Sequence, residues 1–237
     1  MERFLVLFAR EPEREAREKG FEGSAAELFS TFAAGWLVAA ASAGARLVIA
    51  APSEDLAAWR RRLPADRDIL WIAQSGRTFG ERLRRAAECA TARDGAAVLV
   101  GGDVAPDARM ARQAFEALDR GIAALSPAPD GGVSLIGIDA RDVDLLGSLS
   151  AGQRAAFDSL AQALSSRGRA VAVLSSAFDV DGRSALRRLM RARVSISRSL
   201  LRRALRRPAM PLAFFRPFPR PGRLLAPTGL RAPPAFA

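Results

Sequence analysis

Histidine is absent from the 237-residue chain, and cysteine occurs once, at Cys89. The first absence excludes Ser-His-Asp catalysis and His-ligated zinc; the second excludes an internal disulfide framework and a Cys-cluster metal site. A metal site in this chain has to be built from carboxylate and water oxygens, which suit Mg²⁺ or Mn²⁺. Cys89 falls in the apolar-periodic stretch Leu83–Ala92, which predicts a buried structural thiol and is consistent with a reducing compartment.

Negative charge is missing from one end of the chain. Residues 183–237 carry 14 arginines and no acidic side chain, which leaves 22 basic against 25 acidic residues in the first 182. The net charge of +11 therefore describes a mildly acidic body, residues 1–182, with a basic appendage, residues 183–237. With 49% hydrophobic and 26% charged residues, the body can bury an ordinary core.

The N-terminus runs straight into the apolar Phe4–Phe8, without the basic region or cleavage site of a signal peptide. Leu28–Ala45 is uncharged and long enough to span a membrane, but it is rich in Ala, Gly, Ser and Thr. Leu28, Phe32 and Trp36 recur at helical spacing, and Ser24-Ala-Ala-Glu27 reads as a capping box, so the stretch predicts a buried core helix. A cytoplasmic location follows as the expectation, peripheral to the inner membrane face if the basic appendage binds lipid.

Short apolar runs alternate with longer amphipathic stretches. Strands are predicted at Phe4–Phe8, Leu47–Ala51, Ile69–Ala73, Ala97–Val100, Ile122–Leu125, Val133–Ile138 and Val171–Leu174. Helices are predicted at Ala25–Ala41, Leu56–Arg62, Phe79–Ala92, Arg109–Leu118 and Ala151–Leu164. This alternation indicates an α/β three-layer sandwich with a mainly parallel sheet. Between Ile122–Leu125 and Val133–Ile138 there is no room for a crossover helix, so the sheet should be mixed.

Ligands of such sheets bind beyond the carboxyl ends of the strands. Gly101-Gly102-Asp103 ends an apolar run and would offer close backbone approach and a carboxylate to a phosphate-bridging cation; the alternative is that Asp103 merely caps the helix after Pro106. Asp179-Val180-Asp181 places two carboxylates where they can share one cation, although Asp181 could equally cap the next helix. Asp142-Val143-Asp144 has the same spacing but reads as a surface connection. The run Arg10–Lys19 follows the first strand and could clamp phosphates, or pair its charges internally as a solvated loop or helix. Gly80-Glu81-Arg82 opens a helix whose amides could receive an anion, and Asp130-Gly131-Gly132 is a turn.

In order and spacing these segments resemble the bacterial glycosyltransferase-A-like (GT-A) group known as radical-SAM/selenodomain-associated transferase 1, or arsenosugar-biosynthesis-type glycosyltransferases. Phospholactate guanylyltransferase is a more distant relative of that group. The likeness covers about residues 3–186. Its motifs are Val98-Leu-Val-Gly101-Gly-Asp103, Pro127-Ala-Pro-Asp130-Gly-Gly-Val-Ser-Leu135-Ile-Gly137, Gln74 with Phe79-Gly-Glu-Arg-Leu83, and Phe178-Asp-Val-Asp181. In the first loop only Arg10 and Pro12 match; the family's glycine and Lys-Thr-Arg core do not align, and Gly102 and Val133 stand where the family has Thr and Tyr.

The resemblance implies a GT-A, nucleotide-diphospho-sugar transferase-like domain that uses Mg²⁺ or Mn²⁺ and a nucleotide diphosphate sugar as donor. It implies metal ligands Asp103, Asp179 and Asp181, with Asp130 near the acceptor and, with Asp103, in the catalytic set. Arg10, Gln74, Gly80, Glu81, Arg82, Gly101 and Gly102 would line the nucleotide. The alternatives are a nucleotidyltransferase of the same fold, releasing pyrophosphate, and a binding or scaffold protein whose altered first loop no longer supports catalysis.

From Ser184 to Arg207, apolar residues recur at helical spacing among arginines, and after Pro208 the chain is rich in Pro, Phe and Arg. A basic amphipathic helix followed by an extended Pro-rich segment is expected to meet an anionic membrane or a protein partner, with nucleic acid ranked third. Alternatively, the apolar stripe of the helix docks on the body.

Overall fold

The computed structural model describes residues 2–21, 25–64, 68–92, 95–191 and 204. Seven strands, β1 (Arg3–Phe8), β2 (Arg46–Ala51), β3 (Ile69–Ala73), β4 (Ala96–Gly101), β5 (Ala123–Pro127), β6 (Val133–Asp139) and β7 (Val171–Val173), form one sheet in the order β3-β2-β1-β4-β6-β5-β7. Neighbours pair in parallel except β6, which runs antiparallel to both β4 and β5. The mixed sheet expected from the tight connection at 126–132 is therefore present.

Among the described residues, seven α-helices accompany it: α1 (Pro12–Glu18), α2 (Ala25–Ser42), α3 (Leu56–Arg62), α4 (Phe79–Thr91), α5 (Ala108–Asp119), α6 (Ala156–Ser166) and α7 (Arg183–Arg191). The central strands are apolar throughout because both faces are covered, and successive residues serve opposite layers. Leu5 and Leu7 of β1 pack with Trp36, Trp59 and Phe115, while Phe4 and Val6 pack with Leu83, Leu146 and Leu160.

Helix α2 has the length and apolar content of a membrane span. Here it is a core helix: Leu28, Phe32 and Trp36 are fully buried, and the Trp36 indole donates to the Val104 carbonyl at 2.9 Å. Its outer side meets α7, whose Leu186 and Leu189 join Phe29 and Phe32 in a third apolar cluster. At α7 the apolar stripe thus docks on the body; the readings made for 192–203 and for 205–237 lie outside the described residues.

Three local expectations need correction. Cys89 is exposed, because the buried stripe of α4 is Leu83, Ala86, Ala87 and Ala90, and Cys89 sits beside it next to Glu88. Helix α6 begins at Ala156 rather than Ala151, since the chain first turns through Gly152 at φ +69°. Asp142 is not a surface residue but is buried against Arg169 Nε at 2.8 Å. It lies at the far side of the sheet because β6 runs antiparallel, so its carboxyl end points away from those of β1 and β4.

Candidate functional site

Strand order reverses between β1 and β4: β2 and β3 lie to one side, β6 onward to the other. At such a switch point the connections leaving two adjacent strands diverge and leave a crevice at their carboxyl ends. A cavity of about 350 Å³ opens there. Gly102 permits close approach to the end of β1, since a Cβ there would lie 2.6 Å from that of Ala9, and Gly101 leaves room for the Asp103 carboxylate, 2.5 Å from where its own Cβ would be.

Asp103 follows β4 directly. The cap of α5 is Asp107, which accepts the amide protons of Arg109 and Met110, so Asp103 is not occupied in capping. Two backbone bonds then clip a distant segment beside it: Ala105 donates to the Phe178 carbonyl at 2.8 Å and Val180 donates to the Asp103 carbonyl at 3.0 Å. That clip brings Asp179 and Asp181 to Asp103, and one carboxylate oxygen from each lies within 4.8 Å of the others. Phe178–Asp181 leaves the sheet at β7, two strands beyond β6, and crosses back over the ends of β5 and β6; Leu174 and Ser175 mark the route with bonds to Leu125 and Ser126.

Close packing of three carboxylates has an electrostatic consequence. Burial, reinforced by the charges of Asp103 and Asp181, pushes the Asp179 carboxyl up to about 8, against the opposing pull of Lys19. Its Oδ1 is buried without a hydrogen-bond partner. Lys19 bridges the cluster, with Nζ 2.5 Å from Asp103 Oδ2 and also on Asp181 Oδ1. Burial works against the ammonium, but Asp103 and Asp181 outweigh it and hold Lys19 above the ordinary lysine value.

The run after β1 is a short helix, α1, in which the internal charge pairing anticipated from the sequence is present. Arg10 pairs with Glu18 at 2.8 Å and Glu15 at 3.3 Å, and Arg14 reaches Glu18 and Glu54. Yet this helix is not a solvated run, because Glu15 is buried beneath Arg10 and Lys19. Burial first, then Asp103, raises the Glu15 carboxyl above its ordinary range.

On the wall formed by α4, Arg82 faces the cavity and its Nε is buried without a hydrogen-bond partner. Among the described residues it is in no ion pair, unlike Arg10. Phe8 and Phe79 meet edge to face at 5.6 Å and give this end of the cavity an apolar lining. Gln74 lies at the end of β3 and donates to the Ala50 carbonyl at 2.9 Å. Asp130, also on the cavity lining, holds the β5–β6 turn by accepting the Gly132 amide proton with Oδ1 at 3.0 Å.

Of the residues singled out from the sequence, Arg10, Gln74, Arg82, Gly101, Gly102, Asp103, Asp130, Asp179 and Asp181 share this cavity. Gly80 and Glu81 do not. The amide of Glu81 is taken by Thr78 Oγ1, and the Glu81 carboxylate turns back to the amides of Arg77 and Thr78, a capping box that consumes the donors an anion would need. Gly80 is a packing residue against the carbonyls of Leu146, Gly147 and Leu149. Lys19, which also lines the cavity, reads in the sequence only as part of the charge run Arg10–Lys19. One signal could have singled it out: it is the only lysine among 36 basic residues.

The state of Asp179 predicts a pH dependence. In the metal-free folded chain it keeps its proton to about pH 8, whereas in the unfolded chain it loses it near its ordinary value of 3.8. Between those values the unfolded state binds fewer protons, so stability falls as pH rises from about 4 to 8. Asp179→Asn removes that contribution, and its melting temperature in EDTA should fall less over this interval than that of the parent chain.

Comparison with known proteins agrees with this architecture. The model of a family described as "Uncharacterized protein conserved in bacteria (DUF2064)" matches residues 36–153. No curated protein is a significant match. Among solved structures, a Desulfovibrio desulfuricans G20 protein provisionally named a nucleotide-diphospho-sugar transferase is similar with a TM-score of 0.73 and 24% identity, over 86% of this chain and 95% of that one. Rv0371c from Mycobacterium tuberculosis H37Rv, solved in complex with manganese, is similar with a TM-score of 0.52 and 19% identity, over 81% of this chain and 100% of that one. A homolog of Rv0371c from Mycobacterium sp. strain JC1 aligns at 16% identity with a TM-score of 0.52, over 84% and 97% of the two chains. The chain therefore shares a three-layer, GT-A-like fold with these structures.

Proposed function

We propose that this chain is a divalent-metal-dependent transferase that takes a nucleotide diphosphate sugar as donor. The observation that carries the reading is that one cavity is lined both by three clustered carboxylates and by Arg82, whose Nε has no partner, with Phe8 and Phe79 beside it. Asp103, Asp179 and Asp181 supply hard oxygen ligands of the kind Mg²⁺ and Mn²⁺ take, and the unpartnered Asp179 Oδ1 is a lone pair awaiting a cation. The manganese bound by a protein of similar fold supports this choice of ion.

Arg82, whose Nε has no partner, takes the donor's phosphates, and Arg10 also lines the cavity. Phe8, Phe79 and Pro52 provide an apolar face for the flat base, next to Gln74. When bound, a cation at the three aspartates supplies positive charge to the departing diphosphate. Asp130 also lines the cavity, where its carboxylate orients an acceptor hydroxyl and draws its proton.

The test is a thermal-shift screen of nucleotide sugars and nucleoside diphosphates with and without Mn²⁺. A donor at 100 times its Kd should add about 2.7 kcal/mol, and should do so only when the metal is present. No shift from any donor with well-folded protein would refute the reading. With a donor in hand, release of nucleoside diphosphate identifies sugar transfer, and release of pyrophosphate identifies nucleotidyl transfer instead.

A further inference from the structure

We propose that Lys19 is the built-in counter-cation of the carboxylate cluster, and that the divalent metal binds well only when phosphate draws this ammonium away. The inference rests on the metal reading above and adds an order to it. In the structure the Lys19 ammonium touches two of the three carboxylates, Asp103 and Asp181, and lies 3.9 Å from Glu15. It thus occupies the place a bridging cation would take. A divalent ion entering beside it meets like charge at contact range and competes for the same oxygens.

The chemistry of the side chain fits exchange rather than permanent residence. An ammonium is a compact charge on a four-carbon stem, closer to a metal ion in size and placement than a planar guanidinium. In a chain that otherwise uses arginine for every basic position, this one site holds lysine. Lys19 sits at the C-cap of α1 and is followed by Gly20 at φ +68°, so its anchor is the end of a short helix rather than its middle. Arg82, whose Nε lacks a partner in the same cavity, is the phosphate ligand of the reading above. A diphosphate arriving there offers Lys19 new acceptors as it surrenders the aspartates, and the two ligands then favour each other reciprocally.

Mn²⁺ binding followed by the electron paramagnetic resonance of the free ion tests this without any turnover. Lys19→Met and Lys19→Gln should each bind Mn²⁺ alone at least about ten-fold more tightly than the parent chain, because a competitor has been removed. In the parent chain, inorganic pyrophosphate should raise Mn²⁺ affinity beyond what the solution complex of the two accounts for. That second measurement needs no variant and holds even if both substitutions impair folding. Variants that bind Mn²⁺ no better than the parent, or pyrophosphate without effect on a parent chain that does bind Mn²⁺, would overturn the proposal and leave the metal site standing. No Mn²⁺ binding by any of the three proteins, with or without pyrophosphate, would overturn the metal reading and this inference together.

Discussion

Gly80→Ala should cost at least about 3 kcal/mol of stability, a large part of what a domain of this size has to lose. An added Cβ would lie 2.5, 2.6 and 2.7 Å from the carbonyl oxygens of Gly147, Leu149 and Leu146. Backbone cannot swing aside as a side-chain tip can, so α4 must lift from the 143–148 turn or the turn must unwind. Either movement opens the apolar layer that Leu83, Leu146 and Leu149 share. Gly182→Ala is the control: nothing lies within 4 Å of its Cβ position, and its stability should change by no more than about 0.5 kcal/mol. Urea denaturation of both variants checks the pair, and equal stabilities would show that the close approach at Gly80 relaxes freely.

The second large effect is expected at the chemistry. Asp103→Asn keeps the shape of the side chain but removes the central carboxylate of the cluster. On the reading proposed here, metal-dependent donor binding disappears and any transfer rate falls roughly a thousand-fold, the scale of several kcal/mol of lost charge stabilisation. The fold should survive, because Asp103 caps no helix and Lys19 keeps Asp181 as a partner, while the lost ion pair with Lys19 is offset in part by relief of repulsion with Asp179. Isothermal titration of a nucleotide sugar found in the thermal-shift screen, with and without Mn²⁺, reads the outcome. Retained metal-dependent binding by the variant would take Asp103 out of the metal set.

The sheet was legible in the sequence because its strands are short, apolar on both faces and separated by turn residues, and those features survive without any knowledge of tertiary partners. The tight connection at 126–132 even betrayed the antiparallel strand. The carboxylates Asp103, Asp179 and Asp181 were legible for a related reason: each follows an apolar run, where a sheet of this class delivers its ligands.

What escaped was whatever depends on long-range company. Lys19 looked like one charge in a run with Glu at i,i+4 spacing, and that local explanation was correct for Arg14 yet insufficient for Lys19, whose partners lie far along the chain. Glu81 reads in the sequence as an open helix start, although Thr78 three residues earlier already takes its amide proton. Cys89 was read as buried from the apolar character of its surroundings, but in a helix a shift of one position turns a side chain by about 100° and can carry it out of the stripe.

The backbone clip between Asp103–Ala105 and Phe178–Val180 ties together two stretches that leave the ribosome far apart in time. The strands that precede Asp103 can assemble early, yet the oxygens of Asp179 and Asp181 arrive only after the sheet has gained its last strand. A nascent or truncated chain that stops short of this point lacks two of the three carboxylates and leaves Lys19 only Asp103 and Glu15 as candidate partners. On the metal reading proposed above, capture of manganese would therefore report that synthesis has passed Asp181 and that this last crossing of the sheet has closed.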